Sequence, residues 1–225
     1  MLVLALDTAT PAVTAGVVEL TPDLILPLAT RVAWDARKHG ESLMPGVMTA
    51  CAEAGAALAD VEAVVTGNGP GPFTGLRVGM VTAAALGHAL GVPVHGVCSL
   101  DAIAVEAAPG AGGSLLVVTD ARRREVYWAA YDPAGSRTSG PHVEPSPRLA
   151  DRVGGLGPVA AAGSPEHVAA LGLRVLTPAA PSPAGLVAVA ADALRAGVVP
   201  GLLAPLYLRR PDAVEPGVRK RVSPG

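Results

Sequence analysis

The feature that most constrains this 225-residue chain is the stretch 74–91, where a small residue recurs at every fourth position. This spacing places the small residues along one face of an α-helix, where another backbone can approach closely. We therefore predict a long helix with close helix packing along this face. The residues predicted to pack closely are Gly75, Gly79, Ala83 and Gly87.

The other faces of the predicted helix are also nearly free of polar side chains, and a helix that is apolar all round is buried all round. One side can pack on a sheet. A second helix, predicted to begin near Glu41 or Ser42 because Pro45 suits only a first turn, provides an apolar neighbour. Two interpretations stay open: both helices are covered within their own domain, or their apolar faces form an obligate interface with another chain.

The composition favours a partner without requiring one. Hydrophobic residues make up 50% of the chain and charged residues only 16%, so apolar surface is expected to be covered by another protein. A GC-rich genome would give a similar composition. The net charge of −2 and the 3% aromatic content argue against nucleic-acid binding by the chain alone.

The sequence also indicates a compartment. Cys51 and Cys98 lie in apolar stretches and are predicted to be buried, reduced thiols. The N-terminus lacks the basic region of a signal peptide. The longest apolar helix contains Arg77 and His88, which argues against a membrane span. We therefore expect a cytoplasmic protein.

Two stretches of the chain begin alike. A short apolar strand ends at Asp7 and is followed by a turn and a returning strand. A second apolar strand ends at Asp120 and is also followed by a turn and a returning strand. This weak internal duplication predicts an α/β fold with two similar subdomains, the second one smaller. We predict the first subdomain over residues 1–108, the second over 109–210 with a linker at 109–113, and a polar tail over 211–225.

Some elements are predicted less directly. The stretch 134–158 is rich in Gly, Pro and Ser and is predicted to be a loop, whereas 183–196 is an alanine-rich helix and 203–209 a final strand. Thr74 and Ser99 are predicted to be the N-caps of their helices.

The glycine-rich loop 67–75 lies between a predicted strand and helix, where phosphate-binding loops occur. It has no Lys before a Ser or Thr, and Pro70 and Pro72 lack the N–H groups that a phosphate cradle uses. It is therefore expected to shape the helix entry, with Phe73 exposed as an anchor. An ordinary tight turn is the alternative.

A search for catalytic residues finds little. None of the five histidines forms a metal-binding pair, and the nearest functional pair, His39 and Glu41, does not share a helix face. Asp7 and Asp120 stand at strand ends, where a magnesium-phosphate site can form; both suit turn capping equally well. We predict no catalytic residues and no metal ligands.

Several segments resemble one known family. Residues 4–10 (LALDTAT) resemble the first phosphate motif of the actin, sugar-kinase and heat-shock ATPase superfamily. Residues 69–79 (GPGPFTGLRVG) closely resemble the signature of the TsaB (YeaZ) family, and 39–45, 120–127 and 205–209 fit it too. The resemblance spans nearly the whole chain and implies two actin-like, ribonuclease H-like subdomains.

The resemblance also implies a function. It implies a non-catalytic subunit of the complex that forms N6-threonylcarbamoyladenosine in tRNA, next to the anticodon. The catalytic subunit, TsaD, would bind the two long N-terminal helices, and a small ATPase, TsaE, would join at that junction. The resemblance further implies tRNA contact through the complex and, at the junction, possible binding of ATP or ADP with magnesium. A homodimer is expected when the partner is missing.

These implications assign residues to two sites. Ala9 stands where the phosphate motif has Gly, and the second half has no glycine-rich adenosine motif, so the nucleotide site is expected to be vestigial. Its predicted residues are Asp7, Thr8, Thr10, Asp120 and Arg122. The predicted partner-binding residues are His39, Glu41, Leu43, Met44, Val47, Met48, Phe73, Thr74, Arg77, Met80, Val81 and Ala84.

Two further readings stay open. A small-molecule kinase or ATPase that uses Asp7 and Asp120 is the alternative to the partner role. The basic residues of the C-terminus are either a contact to RNA or a partner, or a solvated end. They are Arg209, Arg210, Arg219, Lys220 and Arg221.

Overall fold

The fold was obtained as a computed structural model, and the structure describes residues 1–35 and 38–209. Within these residues the chain forms ten strands and six α-helices. The strands are β1 (Leu2–Asp7), β2 (Ala12–Leu20), β3 (Ile25–Trp34), β4 (Ala63–Gly67), β5 (Val94–Val97), β6 (Leu115–Asp120), β7 (Glu125–Tyr131), β8 (Arg137–Pro145), β9 (Ala160–Gly163) and β10 (Arg174–Leu176). The helices are α1 (His39–Glu53), α2 (Phe73–Leu90), α3 (Ser99–Ala111), α4 (Ser146–Leu156), α5 (Pro165–Ala169) and α6 (Pro183–Arg195).

The strands form two five-stranded sheets with the same arrangement. The first has the order β3-β2-β1-β4-β5 and the second the order β10-β9-β6-β7-β8. In each sheet three consecutive strands pair antiparallel as a meander, and two further strands extend the sheet in parallel. The predicted α/β class with two similar subdomains is confirmed, and the duplication of strand, acidic turn and returning strand is real.

The helices cover the sheets in a way that crosses the predicted boundary. Helices α1 and α2 pack on one face of the first sheet, where Leu43 and Ala83 join its core. The opposite face is covered by α6, through Leu186 and its neighbours, although α6 belongs to the second half of the sequence. Helix α3, from the first half, packs Ile103 against the second sheet. The two halves therefore exchange one helix each.

The predicted loop 134–158 is wrong, because it contains β8 and α4. Strand β8 lies at a sheet edge, where Pro141 costs no ladder hydrogen bond. Helix α4 has a proline within its first two positions, where a missing N–H does no harm, and it buries Leu149. The Gly, Pro and Ser content of 134–158 favoured a loop, but pairing with β7 and burial of Leu149 stabilise a strand and a helix there.

Two other expectations also differ from the structure. The final strand predicted at 203–209 is absent: this segment lies across the junction of the sheets, where the Leu206 N–H donates to the Asn68 carbonyl at 2.8 Å. The linker predicted at 109–113 is mostly the last turn of α3, which ends before the left-handed Gly112. The predicted tail at 211–225 lies outside the described residues.

The helix starts are shifted by a few residues. Helix α1 begins at His39, so Pro45 lies inside it. The proline removes one backbone hydrogen bond, which α1 tolerates because its buried side chains hold it against the core. Helix α2 begins at Phe73 after Pro72, so Thr74 is not an N-cap. Ser99 is the first residue of α3 rather than its cap, because its hydroxyl is engaged elsewhere, as described below.

Candidate partner-binding surface and vestigial nucleotide site

The small-residue face of α2 points into its own subdomain. The Gly79 N–H donates to Thr8 Oγ1 at 2.9 Å, and the Thr8 hydroxyl donates to the Gly75 carbonyl at 2.7 Å. Further along, Gly87 lies against Val94 of β5. The small residues of α2 do allow a close approach, but the elements that approach are the chain's own β1–β2 turn and β5 rather than a second helix. The turn after β1 lies beneath α2, and its backbone can approach the helix more closely than a second helix could.

Asp7 is completely buried at the end of β1. Its Oδ1 accepts a hydrogen bond from the Ala9 N–H at 2.9 Å, and its Oδ2 accepts one from the Ser99 hydroxyl at 2.6 Å. Burial raises the pKa of Asp7 to about 6, against the opposing effect of the Ser99 and Ala9 hydrogen bonds and of nearby His39. Each of the two oxygens thus accepts a hydrogen bond from the chain itself.

The rest of this turn is tied to α1. His39 Nε2 lies 2.9 Å from the Thr10 carbonyl oxygen, and the Thr10 hydroxyl accepts the Ala12 N–H at 3.2 Å. His39 is only 9% exposed. This histidine therefore holds the turn against α1 and presents little of its side chain to a partner.

The outer faces of α1 and α2 form an exposed surface with an apolar centre. Met48 and Val81 are 53% and 66% exposed, and Met44 is half-buried between the surface and the core. The other predicted partner-binding residues that are exposed are Glu41, Phe73, Thr74, Arg77 and Ala84. We call Met44, Met48, Val81 and Ala84 the outer helix surface.

Three of the predicted contact residues lie beneath this surface. Leu43 and Val47 are buried in the core between α1 and the first sheet, and Met80 is buried with Ala9 and Leu76. The helical spacing predicted the two helices but not which apolar side of each faces out, because both sides are apolar. These residues support the surface from beneath.

Phe73 and Arg77 form a cluster that sequence reasoning missed. The Phe73 ring stacks on Tyr207 with 5.1 Å between centroids, and the Arg77 guanidinium lies 3.6 Å from the Phe73 ring centroid. Arg77 Nε donates to the Tyr207 hydroxyl at 2.7 Å. The segment 203–209 is therefore fastened to the start of α2. No local pattern signals this contact, since Tyr207 lies 130 positions from Arg77.

Comparison with known proteins places these features in a family. A sequence profile described as TsaD, tRNA N6-adenosine threonylcarbamoyltransferase, matches residues 33–151. An uncharacterized protein of Mycobacterium tuberculosis is 55% identical over 217 residues, which cover 94% of this chain and 93% of that protein. The Escherichia coli tRNA threonylcarbamoyladenosine biosynthesis protein TsaB is 36% identical over 141 residues, which cover 58% of this chain and 55% of that protein.

A solved structure agrees. YeaZ from Pseudomonas aeruginosa superposes with a TM-score of 0.71 at 27% identity, and the match covers 92% of this chain and 99% of that one. The chain belongs to the TsaB (YeaZ) family. The two-subdomain actin-like fold expected for this family is the fold observed.

In this TsaB-family chain the second acidic turn is built differently from the first. Asp120 is partly exposed; its Oδ1 accepts the Arg122 N–H at 2.8 Å, and its Oδ2 lies 3.4 Å from Arg122 Nη1. His167 Nε2 lies 3.5 Å from Oδ1. Asp120 thus caps a turn and pairs with two neighbours, which is the turn-capping alternative for this residue.

The cysteines, possible metal ligands and apolar helices were the remaining candidate features of the sequence. Cys51 and Cys98 are buried and unpaired thiols, as predicted, and burial raises the pKa of Cys98 to about 11. Across residues 1–35 and 38–209, no three His, Cys, Asp or Glu side chains cluster as metal ligands would. Nor does any helix in the part of the chain described here have the length and hydropathy to cross a membrane.

Proposed function

We propose that this TsaB-family chain is a non-catalytic subunit in the formation of N6-threonylcarbamoyladenosine in tRNA, and that it supports a TsaD-like catalytic subunit. Family membership supports a role in this biosynthesis. The observation that carries the partner role is the outer helix surface, where Met48 and Val81 are exposed on two helices that lie side by side. A role in tRNA modification would place the chain in the cytoplasm.

The chemistry around the β1–β2 turn supports a non-catalytic role. A phosphate or magnesium ion at this turn would need the Asp7 carboxylate, the Thr8 hydroxyl or the N–H of Gly79. All three groups already bond to each other or to Ser99, Ala9 and Gly75. Since these groups already bind one another and Asp7 is completely buried, we expect no independent nucleotide binding. ATP or ADP with magnesium, and a TsaE-like ATPase, would instead bind at the junction with the partner.

Apolar residues at the centre of a surface are the ones that contribute most to association. A second copy of the chain can cover the same residues, so we expect a homodimer when the partner is missing. The TsaD-like subunit then has to displace one copy to form a heterodimer.

Size-exclusion chromatography with light scattering, on the chain mixed with the TsaD-like protein of the same organism, tests the proposal. We expect a heterodimer peak. Val81→Arg should weaken association roughly tenfold or more, because it places a charge at the apolar centre. Val199→Arg is the matched control: Val199 is 87% exposed and lies after α6, on the opposite side of the first sheet, so this variant should associate normally.

An activity test separates this proposal from the kinase or ATPase alternative. The isolated chain should show no magnesium-dependent ATP turnover, whereas the TsaD-like protein should modify tRNA faster when the chain is present. ATP turnover by the isolated chain that Asp7→Ala abolishes would favour the alternative. Normal association of Val81→Arg would show that the outer helix surface is not the interface.

A further inference from the structure

Arg77 is exposed on α2, yet its guanidinium group is held in one place. The group lies 3.6 Å from the centroid of the Phe73 ring, and that ring in turn stacks on Tyr207. On its other edge, Arg77 Nε donates to the Tyr207 hydroxyl at 2.7 Å. A long side chain at a surface ordinarily samples many rotamers. The two rings and the hydroxyl therefore fix a charged group that would otherwise be mobile.

Most of the hydrogen-bonding capacity of this group is unused. A guanidinium has five N–H donors, one on Nε and four on Nη1 and Nη2. In Arg77 the Nε donor is bound to Tyr207. Within residues 1–35 and 38–209, the other donors have no acceptor and the charge has no carboxylate beside it. The free end of the group, which carries Nη1 and Nη2, matches the two oxygens of one carboxylate.

Arg77 lies on the same face of α2 as the apolar centre of the outer helix surface. Val81 follows it by four positions and Ala84 by seven, so the three side chains succeed one another along the helix. All three are exposed. The rings that hold the guanidinium group are themselves 39% exposed in Phe73 and 40% exposed in Tyr207. A partner that covers Val81 therefore also covers or borders this cluster.

Association at this surface requires a counter-charge for Arg77. Removing a charged group from water is costly unless an opposite charge and hydrogen bonds replace the lost hydration. Within the part of the chain that the structure describes, no carboxylate does this for Arg77. The counter-charge therefore has to come from the partner, and a guanidinium group that is already held in place loses little freedom when it binds.

We propose that an Asp or Glu side chain of the TsaD-like subunit binds Nη1 and Nη2 of Arg77 at the edge of the outer helix surface. The inference rests on the proposed partner role and names the chemistry of one contact in it. A guanidinium group also suits a phosphate, but the neighbours of Arg77 along the helix are the apolar Val81 and Ala84. Apolar neighbours favour a protein surface over the backbone of an RNA.

Arg77→Gln tests this inference because it removes the charge and keeps a side chain of similar polarity. Isothermal titration calorimetry would measure binding to the TsaD-like protein of the same organism, without tRNA, from about 0.05 to 0.5 M salt. Arg77→Gln should weaken binding roughly thirtyfold near 0.1 M salt and make the affinity less dependent on salt. Arg77→Lys should recover part of the loss, since lysine keeps the charge but lacks the planar fork.

Two further variants separate this contact from a structural role. Tyr207→Phe removes the acceptor of the Nε bond but keeps the charge of Arg77, so it should weaken binding by about threefold at most and keep the salt dependence of the wild type. Arg148→Gln is the matched control: this arginine is exposed on α4, in the second subdomain, and its loss should leave binding unchanged. Melting temperatures show that each variant is folded.

The outcomes distinguish the inference from the proposed function. If the wild-type chain does not bind the TsaD-like protein, the proposed function fails and this inference fails with it. If the wild type binds and Arg77→Gln binds equally well, the inference alone is overturned, and weaker tRNA binding by that variant complex would then assign the group to RNA. Equal losses in Arg77→Gln and Tyr207→Phe at unchanged salt dependence would show that Arg77 only fastens the segment 203–209, which also overturns the inference.

Discussion

Gly79 and Thr8 are packed so closely that no side chain fits between them. The Gly79 N–H donates to Thr8 Oγ1 at 2.9 Å, and a Cβ atom on residue 79 would lie 2.5 Å from that oxygen. The helix that carries the proposed interface is thereby fixed to the turn between β1 and β2. The Thr8 hydroxyl makes both of its hydrogen bonds to α2, and these bonds fix the position of the helix.

Gly79→Ala should therefore destabilise the chain, by about 1–3 kcal/mol, because the added methyl group meets a fixed turn. Chemical denaturation measures this. Gly154→Ala is the control: this residue lies in α4 with no atom near its would-be side chain, so alanine should stabilise by about 0.5–1 kcal/mol. Equal stability of Gly79→Ala and the wild type would show that the turn can move aside.

A double variant sharpens this test. Thr8→Ala removes the oxygen that the new methyl group meets, so Gly79→Ala should cost less in a Thr8→Ala background than in the wild type. A coupling free energy of about 0.5 kcal/mol or more is expected for residues in contact. Additive effects would place the cost of Gly79→Ala elsewhere on α2.

The buried Asp7 carboxyl predicts a pH dependence of stability. Its pKa rises from 3.8 to about 6 on folding, so the folded state binds the proton more tightly than the unfolded state does. The contribution of Asp7 to the free energy of unfolding is therefore greatest below pH 4 and falls as the pH rises to about 6.

Asp7→Asn, which cannot ionise, should gain stability relative to the wild type over the same pH window, by a few kcal/mol at most. Denaturation at several pH values measures the difference. Asp23→Asn, which removes an exposed carboxyl group, should show no such trend. A constant difference between Asp7→Asn and the wild type from pH 4 to pH 7 would contradict the burial argument.

Tyr207→Phe should loosen the segment 203–209 with little effect on global stability. It removes the acceptor of the Arg77 Nε bond but leaves the ring on Phe73, so the loss should stay within about 1 kcal/mol. Hydrogen exchange at the Leu206 amide, which bonds to Asn68, should become faster. Protection of amides in β1 should not change, and unaltered exchange at Leu206 would show that the stacked ring alone fastens the segment.

Arg174 closes the end of α3. Its Nη2 donates to the Gly110 carbonyl at 2.9 Å and also contacts the Ala111 carbonyl, so the positive charge lies at the negative end of the helix dipole. Arg174→Ala should cost about 1–2 kcal/mol in unfolding experiments. Arg174→Lys should recover part of that, and Arg148→Ala, on exposed α4, should stay within about 0.5 kcal/mol.

The sequence by itself determined the α/β class, the repeated strand-turn-strand openings, the two long helices and the family. These follow from local periodicity and from motifs such as the loop before Phe73, which need no knowledge of distant contacts. The spacing of Gly75, Gly79, Ala83 and Gly87 also predicted a close approach correctly. The periodic pattern could predict a close approach to this face of α2, because the absence of large side chains can be seen in the local sequence.

Only the tertiary structure decided what comes near, and the answer was Thr8 rather than a second helix. It likewise decided that Leu43, Val47 and Met80 face inward while Met48 and Val81 face out, since both sides of these helices are apolar in sequence. The exchange of α3 and α6 between the sheets and the hold of Tyr207 on Arg77 join residues far apart in the chain. Contacts of this kind depend on which surfaces the folded backbone brings together, and that information is not carried by any one stretch of sequence.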